Sequence, residues 1–170
     1  MIIELDRLEK GNEKFDLLIK PEDVDLERED VEIKGDISLR GEAERHIAQT
    51  DIKGVIAFAA DVECTRCLKP VPSSFLFDFE VSYVTPENFS GEREKVLLES
   101  ELATDVSESG RIDLNDVIRE QILLNLPEQT LCKDECKGIC PECGVDRNIE
   151  DCNCGDDDID PRWSALKDLK

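Results

Sequence analysis

Three stretches of this chain alternate between apolar and polar residues with a period of two. In 31–39 the apolar phase falls on Val31, Ile33, Gly35, Ile37 and Leu39. In 52–64 it falls on Ile52, Ile56, Phe58, Ala60, Val62 and Cys64, and in 75–83 on Phe75, Phe77, Phe79, Val81 and Tyr83. Successive side chains of a strand point to opposite faces, so the pattern predicts three strands with one buried face each. The second and third are joined by Cys64-Thr-Arg-Cys67-Leu-Lys-Pro70-Val-Pro72, which predicts a hairpin with a cysteine pair at its tip.

Before these strands lie two short apolar clusters, Ile2/Ile3/Leu5/Leu8 and Phe15/Leu17/Leu18/Ile19. They flank Gly11-Asn12 and predict two strands joined by a turn. Residues 21–32 are acidic and begin with a proline, as a solvated loop would. Residues 86–110 are mixed and polar, with Val96-Leu97-Leu98 as a short strand and Gly91 and Gly110 as turn points. The period then changes to 3.6. Leu114, Val117, Ile118, Gln121, Ile122 and Leu124 form a stripe behind Asp113, a capping residue, with Asp116 in the first turn and Pro127 as the stop. A second, short helix is expected at the C-terminus. Asp160 would cap it, Pro161 would open it, and Trp163 and Leu166 would share a face.

From Cys132 onward the chain is poor in aliphatic residues and rich in Cys, Gly and Asp. Such a segment cannot fold on apolar burial alone, and metal would have to supply the difference. The expected fold is therefore α+β: an antiparallel β-sheet body with one main helix and a small cysteine-rich, zinc-binding C-terminal module. The expected division is 1–131 for the body, including the Cys64–Cys67 hairpin, and 132–170 for the module and terminal helix packed on it.

The eight cysteines fall into four close pairs: Cys64/Cys67, Cys132/Cys136, Cys140/Cys143 and Cys152/Cys154. That is enough for two tetrahedral four-thiolate zinc sites, which are closed to substrate. In Cys140-Pro-Glu-Cys143-Gly144 the glycine permits the left-handed turn that aims backbone N–H groups at the sulfurs. Four pairs combine into two sites in three ways. The favoured grouping is Cys64, Cys67, Cys132 and Cys136 with Cys140, Cys143, Cys152 and Cys154. Its competitor joins 132, 136, 140 and 143 and sends 152 and 154 to the hairpin. An iron–sulfur cluster uses the same ligands and ranks below zinc. A redox pair ranks lower still, because Cys64 ends a hairpin strand rather than sitting in a βαβ unit. No basic and apolar leader stands at Met1-Ile2-Ile3, and the longest apolar run, 55–60, is far too short to cross a membrane. A reducing cytoplasm is the expected setting, which disfavours disulfides.

Charge narrows the partners. The formal net charge is −21, and two dications held by eight thiolates would take it to about −25. Such a surface repels a phosphate backbone and suits a basic protein better than bare nucleic acid, although it also serves solubility. His46 is isolated, and no phosphate loop, nucleophile elbow or dinucleotide fingerprint is present. Arg66, Arg162 and Trp163 lie nearest the motifs and are the candidate partner contacts, with a solvated role as the alternative. Lys69 and Lys167 are the other nearby cations.

Five features taken together resemble the YceD family, the large ribosomal RNA subunit accumulation proteins. They are Cys64-Thr-Arg66-Cys67-Leu68, the helix end Leu124-Asn-Leu-Pro127, the run from Leu131-Cys132 to Cys143-Gly144, Cys152-x-Cys154, and Asp160-Pro161-Arg162-Trp163 with Leu166. The resemblance implies a non-enzymatic, bacterial or plastid factor for accumulation or processing of large-subunit ribosomal RNA. A basic ribosomal protein or a pre-ribosomal particle would be its partner. The alternatives are a metal-dependent RNA-processing enzyme and a zinc-stabilised acidic adaptor unrelated to ribosomes.

Overall fold

A computed structural model describes residues 2–4, 12–47, 49–86, 104–107 and 109–154. Among these residues seven strands and one α-helix follow in the order β1 (Ile2–Glu4), β2 (Asn12–Ile19), β3 (Val31–Arg45), β4 (Gln49–Glu63), β5 (Pro70–Val84), β6 (Thr104–Val106), β7 (Arg111–Asp113) and α1 (Leu114–Asn125). The chain divides into two compact units. One comprises 1–62 and 72–128; the other comprises 63–71 and 129–170. The division thus differs from the expected one at the hairpin tip, which groups with the C-terminal segment. The reason is local: backbone hydrogen bonds and sulfur contacts of 64–69 run to residues beyond 129.

The first unit is a five-stranded sheet of order β2-β3-β4-β5-β6. β2/β3 and β3/β4 are antiparallel, and β6 joins the edge parallel to β5. The predicted phases face inward: Ile37 and Leu39 on β3, Ile52, Ile56, Phe58, Ala60 and Val62 on β4, and Phe79, Val81 and Tyr83 on β5 are all buried. Phe58 stacks on Phe75 with ring centroids 4.8 Å apart. Between Lys34↔Ala59 and Ser38↔Ala57, β3 advances four residues while β4 retreats two. The bulge holds Gly35 at φ 76°. Its surplus is two residues, an even number, so the inward phase is the same on both sides of it.

All three long strands exceed their predicted lengths. On β3 the inward positions beyond Leu39 are Gly41 and Ala43, too small to register as an apolar alternation. Phe15 on β2 lies opposite Gly41, which in turn lies opposite Gly54 on β4. A Cβ on Gly41 would sit 2.4 Å from the Lys53 carbonyl oxygen and 2.7 Å from the Phe15 ring. The ring therefore fills the space that a side chain at 41 would otherwise occupy.

Among the described residues, Ile2–Glu4 and Asn12–Ile19 of the N-terminal clusters form strands, but the two are not partners. β1 pairs antiparallel with β7, Ile3 facing Ile112. The Arg111 guanidinium reaches the Glu4 carboxylate at 3.3 Å. Of the expected loop 21–32, residues 21–30 are a loop, opened by a 3-10 turn at Pro21–Asp23, and 31–32 already belong to β3; Val24 and Leu26 nevertheless anchor the loop in the core. Arg119 of α1 ties it further, its Nε donating to the Asp25 carbonyl at 2.7 Å.

Helix α1 begins as expected. Asp113 Oδ1 accepts from the Asn115 N–H at 3.0 Å. It ends at Leu126, which precedes Pro127 and is extended (φ −67°, ψ 137°), as a residue before proline prefers. Leu114, Val117, Ile118 and Ile122 are buried, but Leu124 is 76% exposed. Steps of four drift around a 3.6-residue helix, so the row 114, 118, 122 leads to Leu126 and Leu123 and leaves Leu124 outside. His46 lies in the β3–β4 turn, with Nε2 3.0 Å from the Asp51 carboxylate. The expected strand at 96–98, the residues Leu5, Leu8, Gly11 and Gly91, and the terminal helix with Arg162, Trp163 and Leu166 lie outside the described residues.

Candidate metal centres

The second unit is organised around sulfur. The Sγ atoms of Cys64, Cys67, Cys132 and Cys136 all lie within 4.8 Å of one another, as do those of Cys140, Cys143, Cys152 and Cys154. This is the grouping favoured on sequence grounds over the one that joins 132 to 143. Cys64 and Cys136 are 3.8 Å apart at sulfur, and Cys67 and Cys132 are 3.5 Å apart. Disulfide sulfurs would be about 2.05 Å apart. Four thiolates bonded tetrahedrally at about 2.3 Å would be about 3.8 Å apart. Both clusters could therefore hold a metal ion, and the spacing suits one ion per cluster.

Two turns of the same design supply half of each cluster. In the first, the Cys64 N–H donates to the Lys69 carbonyl (2.9 Å) and the Leu68 N–H to the Cys64 carbonyl (2.8 Å). In the second, the Cys140 N–H donates to the Val145 carbonyl (2.8 Å) and the Gly144 N–H to the Cys140 carbonyl (2.9 Å). The fifth residue of each turn is left-handed: Gly144 at φ 73° and Leu68 at φ 58°. Leucine does by force what glycine does freely.

Around the first thiol of each turn, backbone dipoles favour the thiolate. Burial opposes ionisation of Cys64, but the N–H groups of Arg66, Cys67 and Cys132 outweigh it and bring the thiol down to about 6. The N–H groups of Cys143 and Glu142 outweigh burial at Cys140 and bring it to about 6 as well. Each cluster also holds a thiol pushed the other way. Cys132 rises to about 12 through Cys67 and burial, and Cys154 to about 12 through Cys143 and burial. Four clustered sulfurs cannot all carry charge without a cation among them.

The surroundings fix the sulfurs. Thr65 donates both its N–H (2.8 Å) and its hydroxyl (3.2 Å) to the Thr130 carbonyl, joining the first turn to the stretch that carries Cys132. Arg66 has an internal contact: Nη1 donates to the Cys136 carbonyl at 2.9 Å, and its own carbonyl accepts from the Ile139 N–H at 3.0 Å. Two further residues, Asn148 and Asp146, were not anticipated, and the nearby cation Lys69 pairs with one of them. Asn148 Nδ2 donates to Cys136 Sγ (3.4 Å) and to Asp146 Oδ1 (2.8 Å), and Asp146 Oδ2 meets the Lys69 ammonium at 2.6 Å. Lys69 and the two N–H groups of Asn148 hold the Asp146 carboxyl down at about 2. The Asp-x-Asn spacing at 146–148 is a turn signature that could have marked this segment.

Among the described residues no helix is long and apolar enough to cross a membrane.

The chain is similar to several known proteins. An uncharacterized protein of Mycobacterium tuberculosis is 31% identical over 118 residues, which is 69% of this chain and 54% of the relative. A Mycobacterium leprae protein is 29% identical over the same length. The chain thus spans about half the length of these mycobacterial relatives. The uncharacterized protein YlbN of Bacillus subtilis is 25% identical over 169 residues, covering 99% of this chain and 94% of the relative. A chloroplastic YCED homolog of Arabidopsis thaliana is 32% identical over 59 residues, 35% of this chain and 18% of its own. No solved structure matches. The family model described as large ribosomal RNA subunit accumulation protein YceD matches residues 52–170, from β4 through both cysteine clusters, and the chain therefore belongs to the YceD family.

Proposed function

We propose that this protein is a non-enzymatic ribosome-biogenesis factor that supports accumulation or processing of large-subunit ribosomal RNA. The observation that carries the reading is the family match over 52–170, whose description names that role. The Arabidopsis relative carries the same description in its name.

In this reading each four-sulfur cluster holds one zinc ion. The sulfurs lie within 4.8 Å of one another, which favours a single ion over a cluster of several irons. All four positions of each ion are filled by protein, so the metal would fold the second unit rather than activate water or substrate. The working surface is then the acidic exterior. At a formal net charge of −21 it suits a basic ribosomal protein, free or on a pre-ribosomal particle, better than bare RNA. A cytoplasmic location follows from that partner and from reduced thiols.

Elemental analysis of purified protein is expected to give about two zinc per chain. Iron in its place, or no metal, would overturn the metal assignment. Affinity capture under native conditions is expected to enrich large-subunit ribosomal proteins or precursor particles. Capture of unrelated proteins alone would favour an adaptor outside the ribosome. Cleavage of precursor RNA by the purified protein, lost on substitution of its carboxylates, would favour an enzyme.

A further inference from the structure

We propose that Asn148, held in place by Asp146 and Lys69, is a positioning residue for the Cys136 thiolate, and that through it the two four-sulfur centres take up metal cooperatively. The inference rests on the reading that both centres hold metal.

The carboxamide of Asn148 has no freedom left. Its oxygen accepts from the Lys137 N–H at 3.0 Å, which fixes which end is oxygen, because a backbone N–H cannot face the amide nitrogen. One amide hydrogen then points at Cys136 Sγ and the other at Asp146 Oδ1. Asp146 is anchored in turn by Lys69, two residues past Cys67 in the first turn. The Cys136 sulfur is buried, and the Asn148 amide is a donor at 3.4 Å from it. A thiolate that is already hydrogen-bonded in the right direction costs less to hold at a metal. Such outer contacts are worth about 10–100-fold in metal affinity.

The geometry makes this a link between centres because of where Asn148 lies. It sits between Cys143 and Cys152, two ligands of the other centre. The segment is further stitched to the Cys136 side by an Arg147 N–H to Gly138 carbonyl bond at 2.9 Å and by an antiparallel bridge between Ile139 and Asp146. With metal at the second centre, both ends of the 144–151 segment are tethered and Asn148 is delivered to Cys136. With that centre empty, ordering the segment must be supplied by the first centre's own binding energy, which weakens its apparent affinity. By reciprocity, filling the first centre orders the segment and strengthens the second.

The test is a Co2+ titration of the reduced, metal-free full-length chain, followed by the thiolate-to-cobalt absorption. The C152S/C154S variant retains only the first centre. Its Co2+ affinity is expected to fall about tenfold or more below that of the first centre in the intact chain. Asn148→Ala is expected to weaken the first centre about 10–100-fold in the intact chain, and by less than about threefold in the C152S/C154S background. Asn148→Asp keeps the size and the acceptor for Lys137 but has no hydrogen for the sulfur. It is expected to follow Asn148→Ala in affinity, which separates the effect from a general loss of folding. First-centre affinities within about twofold of one another across these variants would overturn the coupling and leave the metal reading intact. Absence of any thiolate-to-cobalt band would overturn both.

Discussion

Leu68 and Gly144 occupy the same place in two turns of the same hydrogen-bond pattern, and only one of them suits it. A non-glycine residue in the left-handed region costs about 1–2 kcal/mol, against about 0.5–1 kcal/mol of extra chain entropy for glycine. Leu68 is also 54% exposed, so little burial offsets the strain. Leu68→Gly is therefore expected to leave stability unchanged or to raise it by up to about 1 kcal/mol in urea unfolding of the metal-loaded protein. Gly144→Ala should cost about 1–2 kcal/mol in the same measurement. A second residue gives a direct optical readout. Tyr83 is the single tyrosine, and burial, followed by the charges of Glu120, Asp105 and Asp116, raises its phenol above the ordinary range. Ultraviolet titration should show no phenolate near pH 10, where free tyrosine ionises. A raised folded value means the native state holds its proton longer than the unfolded chain. The associated stability is thus full below about pH 10 and declines as pH climbs past it. Normal ionisation near pH 10 with the fold intact would contradict the burial of this side chain. Cysteine spacing made the two four-sulfur clusters legible from sequence. Asn148 was not, because a single amide donating to a distant sulfur leaves no periodic trace.

The strands were legible where their inward residues are large and illegible where they are small. Phe58, Phe77 and Ile56 announce their strands, whereas Gly41 and Ala43 hide the continuation of β3. Their meaning emerges only across the sheet, where the Phe15 ring covers Gly41. Gly41→Val is accordingly expected to destabilise the protein by upward of about 2 kcal/mol in thermal or urea unfolding, since the new side chain meets both a carbonyl and an aromatic ring. Tolerance of valine there would mean that the Phe15 ring of β2 does not lie across Gly41 as described. Pairing of β1 with β7 was beyond local pattern reading for another reason. The two strands are short, and their register is set by partners more than a hundred residues apart in sequence. The helix was the clearest element, with cap, stripe and stop all local, and only the drift of its buried row displaced Leu124.

The two units differ in what holds them. The first has a continuous apolar core spanning the sheet and α1. The second has a small cluster of Cys64, Cys67 and Cys136 with Val71 and Leu131 against it. A strong chelator in the presence of reductant should therefore remove amide-exchange protection from 63–71 and 129–154 and leave the strands of the first unit protected. Uniform loss of protection would mean that one cooperative transition embraces both. The second unit is also discontinuous in the chain, and this bears on its synthesis. Sixty-five residues separate Cys67 from Cys132. At about 5–20 residues per second, the first pair waits roughly 3–13 s on the translating ribosome before its partners are made. During that interval the two thiols lack the neighbours that enclose them in the folded unit, so the nascent chain is open to oxidation until the 129–154 segment arrives to cover them.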